Sequence, residues 1–230
     1  MSIYKISYQV NKPESAAFPQ VQETLGSYDF SSPNSFRKAP ISGRIDFPIQ
    51  FPKMKMENKA KETDLIQCVP LGNKFLVVSP TVSTCIMTFN IDEIQTFTID
   101  VIHKKISHTY HALYFPNLRQ DSLIDWENST FFVIDKTSYT LSDGKTLWHR
   151  LEEGLSIRNY EDYLKYLREL HARSAGKQAL KTDHIQLIDK IEFDLFKMSI
   201  PLMGYFCSSR LKTAIEQAGL TGFRFEQVSR

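Results

Sequence analysis

A chain of 230 residues that is 42% hydrophobic and 23% charged can bury a core, and its length suits one domain. Twenty-eight Lys and Arg against twenty-six Asp and Glu leave a net charge of +2, too small for the positive field of non-specific nucleic-acid binding and too far from acidic for whole-surface mimicry of nucleic acid. No apolar run approaches the ~20 residues of a membrane span, and MSIYKISYQV alternates where a secretion signal would be continuously apolar. A cytoplasmic protein with neither membrane nor nucleic-acid partner is expected.

The first element is a strand over residues 3–10, IYKISYQV, from its polar–apolar alternation. Prolines at 13, 19, 33, 40, 48 and 52 then interrupt every helical period, so residues 1–62 read as an extended, proline-rich arm packed on the rest of a single α+β domain spanning 1–230. Within it, Arg37, Lys38, Arg44, Lys53, Lys55, Lys59 and Lys61 face only Asp46 and Glu57, which makes a basic strip or a solvated loop.

Residues 75–101 spell strand, helix, strand. Ser79 is placed to cap a helix with Pro80 at its first position; Val82, Cys85, Ile86 and Phe89 share a face, and Asn90 is the expected left-handed stop. Residues 205–226 repeat the plan, with Ser208 as cap, Leu211, Ala214, Ile215 and Ala218 as the face and Gly219 as the stop. The fold class that follows is a mixed or antiparallel sheet with a few helices and two similar strand-helix-strand units.

Between the two units lie the polar candidates. If IHKKISHTYH is one strand, His103 and His111 point one way and His108 the other, which disfavours a metal site. RQDSLIDWENS gathers Asp121, Asp125 and Glu127 in an acidic turn over Trp126, with a spacing that fits no calcium loop. Asp143-Gly144 suits a hairpin turn. A helical insert near 159–175, capped by Asn159, turns Tyr160, Tyr163, Leu164, Leu167, Leu170 and His171 to one face and leaves Tyr166 on its flank. Cys68, Cys85 and Cys207 sit in apolar segments and read as buried free thiols, with Cys207, just before a helix start, the one conceivable nucleophile.

Phosphate loops, zinc helices, paired C-x-x-C knuckles and nucleophile elbows are all missing, so no catalytic residue, metal or cofactor is assigned and a non-enzyme is expected. FLVVSPTVSTCIMTFNIDEIQTFTI, LIDWENSTFFV and LFKMSIPLMGYFCSSRLKTAIEQAGLTGFRFE, in this order, resemble the bacterial immunity proteins found beside polymorphic toxins, specifically the immunity protein eleven family. The resemblance covers much of 75–226, makes 63–230 an immunity-like core, and implies binding and neutralisation of a cognate toxin without catalytic residues. Asp125, Glu127 and Tyr166 are the partner-binding candidates, and Ser79, Asn90, Ser208 and Gly219 the structural caps. The competing readings are an enzyme using carboxylates near Asp125 or histidines near His108, and a binding module unrelated to toxins.

Overall fold

The computed structural model describes residues 2–10, 16–140 and 146–228. In chain order the elements are β1 (Ile3–Tyr8), β2 (Val21–Leu25), β3 (Lys53–Met56), β4 (Leu65–Ile66), β5 (Phe75–Val78), α1 (Pro80–Ile86), β6 (Gln95–His103), β7 (Ile106–Tyr114), α2 (Gln120–Leu123), β8 (Ile124–Thr140), β9 (Thr146–Ser156), α3 (Tyr160–Arg173), β10 (Gln178–Leu187), β11 (Leu195–Met198), β12 (Gly204–Ser208), α4 (Ser209–Gln217) and β13 (Phe223–Gln227). Strands predominate and the helices are few, so the fold is α+β.

Where one domain was expected, the chain gathers into two compact units. The first takes in the chain through Leu118 together with Glu192–Met198 and Gly204–Val228; Arg119–Ile191 and Ser199–Met203 form the second. The reason is local pairing. β8 takes both β9 and β10 as antiparallel partners, α3 lies against β10, and this segment thus satisfies its backbone within itself. The Asp143-Gly144 turn lies outside the described residues.

In the first unit, β5 and β6 run on either side of β7, both antiparallel to it, with α1 joining them. β12 and β13 flank β1 in the same way, joined by α4. Each is a helix-linked pair of parallel strands split by a third. The registers correspond: Val78 faces His111 as Cys207 faces Tyr4, and Leu76 faces Leu113 as Tyr205 faces Ile6. β4 adds antiparallel to β5, as β11 does to β12. The two expected strand-helix-strand units are therefore the two halves of a pseudo-twofold arrangement. Their helices lie against each other, and Leu76, Val78, Val82, Ile86 and Leu113 share a core with Ile6, Cys207, Leu211 and Ile215.

An aspartate interlocks the halves on each side. Ser79 donates its backbone N–H to the Asp64 carbonyl at 2.7 Å and its hydroxyl to Asp64 Oδ1 at 2.8 Å, while Asp64 Oδ2 accepts the Thr221 amide, just after α4, at 2.8 Å. Asp194 does the same from the other side: it accepts the Ser208 amide at 3.0 Å and the Ser208 hydroxyl at 2.6 Å, and its Oδ2 accepts the Asn90 amide, after α1, at 3.0 Å.

Three caps behave as read: Ser79 accepts from the Val82 amide and Ser208 from the Leu211 amide, while Gly219, at φ 65°, closes α4 with Leu220 N–H bonded to the Ile215 carbonyl. Asn90 is not a left-handed stop. α1 ends at Ile86, the chain unwinds through bonds from Thr88 to Cys85 and Phe89 to Ile86 without a positive φ, and Asn90 instead binds Asp194 and the Glu192 carbonyl.

The described residues of 1–62 pack on the rest of the first unit, and part of them joins its sheets. β1 lies between β12 and β13, and β2 and β3 extend the sheet of β6 and β7 to six strands. Phe36, Ile45, Met54 and Met56 are buried against Phe75, Val101 and Tyr114 on the face of that sheet opposite α1. Prolines forbid helix but not this irregular, apolar covering. Its basic residues disperse: Arg37 lies over the Phe30 ring, Arg44 pairs with Glu93 and Lys55 with Glu23.

Candidate functional site

Asp125 and Glu127 fall in a bulge of β8. Residues 126–129 loop out where β10 spends the single residue Ile185, between the pairs Thr130–His184 and Asp125–Gln186. Sequence chemistry holds the bulge. Asp125 accepts the Asn128 amide at 3.3 Å and its Nδ2 at 2.9 Å, and Ser129 donates to the Asp125 carbonyl at 2.6 Å while accepting the Gln186 amide. Trp126 is driven inward against Phe131, Tyr160 and Tyr163, and Glu127 is left exposed. Asp125 thus works as a turn former, with Glu127 free to meet a partner.

Tyr166, in the same unit, has partners of its own. Its hydroxyl donates to Glu152 Oε2 at 2.9 Å across to β9 and accepts from Arg173 at 3.2 Å, while Arg173 also reaches Glu152. Burial, then the Glu152 carboxylate, raises its pKa above the ordinary tyrosine value. The ring is partly exposed beside a matched ion pair, an amphipathic contact surface. The turn and the tyrosine share a unit but no hydrogen bond.

The nucleophile candidate fails on electrostatics. Cys207 is fully buried, and burial pushes its thiol up to about 12, as it does that of Cys68. Cys85 departs from expectation: it is only partly buried, on the flank of α1.

The histidines divide differently from the single-strand reading. Lys104 and Lys105 both take positive φ, 48° and 71°, and turn the chain between β6 and β7. Two strands, not one, then put His103 and His108 on one face and His111 on the other, where its Nδ1 meets the Ser83 hydroxyl at 2.8 Å. Glu62 comes up to the first pair, its Oε1 2.8 Å from His103 Nδ1 and 3.2 Å from His108 Nε2. A Lys-Lys tight turn gives almost no sequence signal, and this cluster was missed for that reason.

Two further features escaped the sequence. Ser83, Met87, Ile94, Thr96, His111 and Leu113 line an open groove of about 240 Å³ beside α1. Lys197 is buried over the Tyr205 ring with its ammonium on the Lys74 carbonyl, and burial, followed by the charge of Lys74, pulls its pKa down to about 8.

Compared with models of protein families and with curated proteins, the chain matches none. No helix among the described residues is long and apolar enough to cross a membrane.

Proposed function

We propose that this is an immunity protein that acts in the cytoplasm, binding a cognate bacterial toxin and neutralising it by protein–protein contact. The reading rests on the sequence resemblance of three segments to the immunity protein eleven family, which no family-model match accompanies. Two of them, 75–99 and 195–226, contribute the interlocked halves of the first unit. Two of the groups an enzyme could have used are occupied otherwise: Asp125 is spent on the bulge, and the Cys68 and Cys207 thiols are held protonated; the histidines near His108 remain open to the competing enzyme reading. Contact surface is present at Glu127 and at the Tyr166–Glu152–Arg173 cluster.

The test is protection. A toxin candidate, taken from a neighbouring gene or captured by pull-down from the native strain, is co-expressed with the protein in a susceptible strain, and the purified pair is titrated by calorimetry. An occluding inhibitor protects mole for mole and forms a stable complex; protection at a small fraction of the toxin's concentration would mean an enzyme, and no protection ends the proposal. With folding shown intact by circular dichroism, Tyr166→Ala and the pair Asp125→Ala with Glu127→Ala should each weaken binding by more than ~1 kcal/mol where they touch a hot spot. Should both bind like the parent, the interface lies elsewhere.

A further inference from the structure

We propose that Glu62, His103 and His108 form a binding site for a divalent transition-metal ion of the zinc class. The β6–β7 hairpin supplies both imidazoles from one face, and the segment leading into β4 supplies the carboxylate. One ligand atom from each of the three residues lies within 4.8 Å of the other two. Donors at the usual Zn–N and Zn–O lengths around a tetrahedral ion stand roughly 3.4 Å apart, so the observed 2.8 Å and 3.2 Å separations from Glu62 Oε1 are those of a site closed slightly in on itself.

Two details favour an ion over a plain hydrogen-bonded cluster. His108 Nε2 is buried and only 3.2 Å from the carboxylate, yet its alignment makes no hydrogen bond. A buried ring nitrogen left without a hydrogen bond costs free energy that coordination would recover. Secondly, the donor set is two imidazoles and one carboxylate, three protein ligands that leave a tetrahedral position for water or for a donor from another molecule. Glu62 has 44% of its side chain exposed, which gives an ion its entry and lets the carboxylate turn to receive it. Lys61, Lys104 and Lys105 are near in sequence and oppose a bare cation. The carboxylate charge offsets part of that, and imidazole binds by its lone pair rather than by charge. Metal would tie the hairpin to residues 61–63 and displace the protons on the coordinating nitrogens.

Metal binding at this site requires no toxin. The untagged full chain is dialysed free of metal and titrated with zinc chloride by calorimetry, with cobalt(II) absorption as a report of tetrahedral coordination. One equivalent should bind and raise the melting temperature. Glu62→Gln and His108→Ala, whose side chains are 44% and 26% exposed and whose folding is checked by circular dichroism, should each weaken binding at least about tenfold. Because His103 is buried, His103→Ala is informative only if it folds. No zinc uptake by the parent overturns the proposal and leaves a carboxylate clamped between two imidazoles. Parental affinity in both variants overturns it too, since the ion would then sit on other residues.

Discussion

The two halves of the first unit share topology, register and an interlocking aspartate, but they are not equally built. Asp194 has 2% of its side chain exposed and also pairs with Arg210, which lies over Phe89; Asp64 is partly exposed, and its carboxylate binds Ser79 and Thr221 with no arginine. After α4 the chain turns tightly through Gly219 and Gly222, whereas after α1 it wanders without a glycine to β6. On the outer face the second half packs Lys212 over Tyr4 and Phe225, while the corresponding Ser83, His111 and Thr96 border an open groove. One arrangement of backbone thus tolerates one half made rigid by buried charge and aromatic packing and another left looser.

The sharpest break of that comparison is at the aspartates. Asp194→Ala leaves the buried Ser208 hydroxyl and the Asn90 amide without their acceptor, and the exposed Arg210 without its partner, and should cost about 2–3 kcal/mol, the upper range for stranded buried hydrogen-bond groups. Asp64→Ala should cost about 1–2 kcal/mol. Equal losses in urea unfolding would show the halves to be energetically equivalent. Acid should expose the same difference. Burial works to raise the Asp194 carboxyl, but Arg210, Ser208 and the Asn90 amide outweigh it and hold the pKa below the ordinary 3.8. A depressed carboxyl stabilises fully above its unfolded value, and that contribution is lost as pH falls through the folded one. Asp194→Asn should therefore lose less stability than the parent on acidification below pH ~3.8.

The glycines of the tight turn come next. A Cβ at Gly219 meets nothing within 4 Å, so Gly219→Ala should cost only the left-handed backbone, about 1 kcal/mol. At Gly222 a Cβ would stand 2.3 Å from the Leu65 carbonyl, next to the bond from the Leu65 amide to Thr221. Gly222→Ala should cost about 2–3 kcal/mol by strain and clash together. A smaller loss there than at Gly219 would mean that β4 can shift freely.

The caps should separate the halves by less. Ser208 is fully buried between Asp194 and the Leu211 amide, and Ser208→Ala should reach the upper end of the ~0.5–2 kcal/mol range for lost caps; Ser79→Ala, nearer to solvent, should fall at the lower end. Thermal melts of both variants measure the gap.

Caps and helix faces were legible because their determinants are local: Ser79 with Pro80, Ser208 and Asn159 accept from amides three residues on, and Gly219 donates its amide to the Glu216 carbonyl three residues back. The strand that splits each pair was not. β7 enters its pair from the next hairpin and β1 enters from residues 3–8, some two hundred positions from its neighbours β12 and β13, and alternation reveals a strand without its partner. Proline counting over residues 1–62 gave an extended, packed arm but not the strands β2 and β3 within it, since it reports where a helix cannot form and is silent about sheet partners. Asp64 and Asp194 gave no sign because their partners Thr221 and Asn90 belong to the other half. Asp125 was visible as part of an acidic turn, but its bond to Asn128, which makes it structural, depends on a bulge set by the register of β10.

The smallest effect expected is also the one that tests whether the halves differ by construction or by use. Thr96 faces Leu113 as Phe225 faces Ile6, and Ser83 stands four residues past its cap as Lys212 does. Ser83→Lys with Thr96→Phe therefore rebuilds the second half's outer packing in the first, setting a ring and an alkyl stem over His111 and the apolar floor of Ile86 and Leu113. Filling open apolar space with geometry the fold already accepts once should stabilise by about 0.5–1 kcal/mol, even after the Ser83–His111 hydrogen bond is lost. A rise in melting temperature with toxin protection intact would make the groove a place where packing was simply left unfinished. A fall would show that the register likeness does not extend to side-chain space. A rise accompanied by loss of protection would move the proposed toxin contact from Tyr166 to this half, and explain why the looser half was left open.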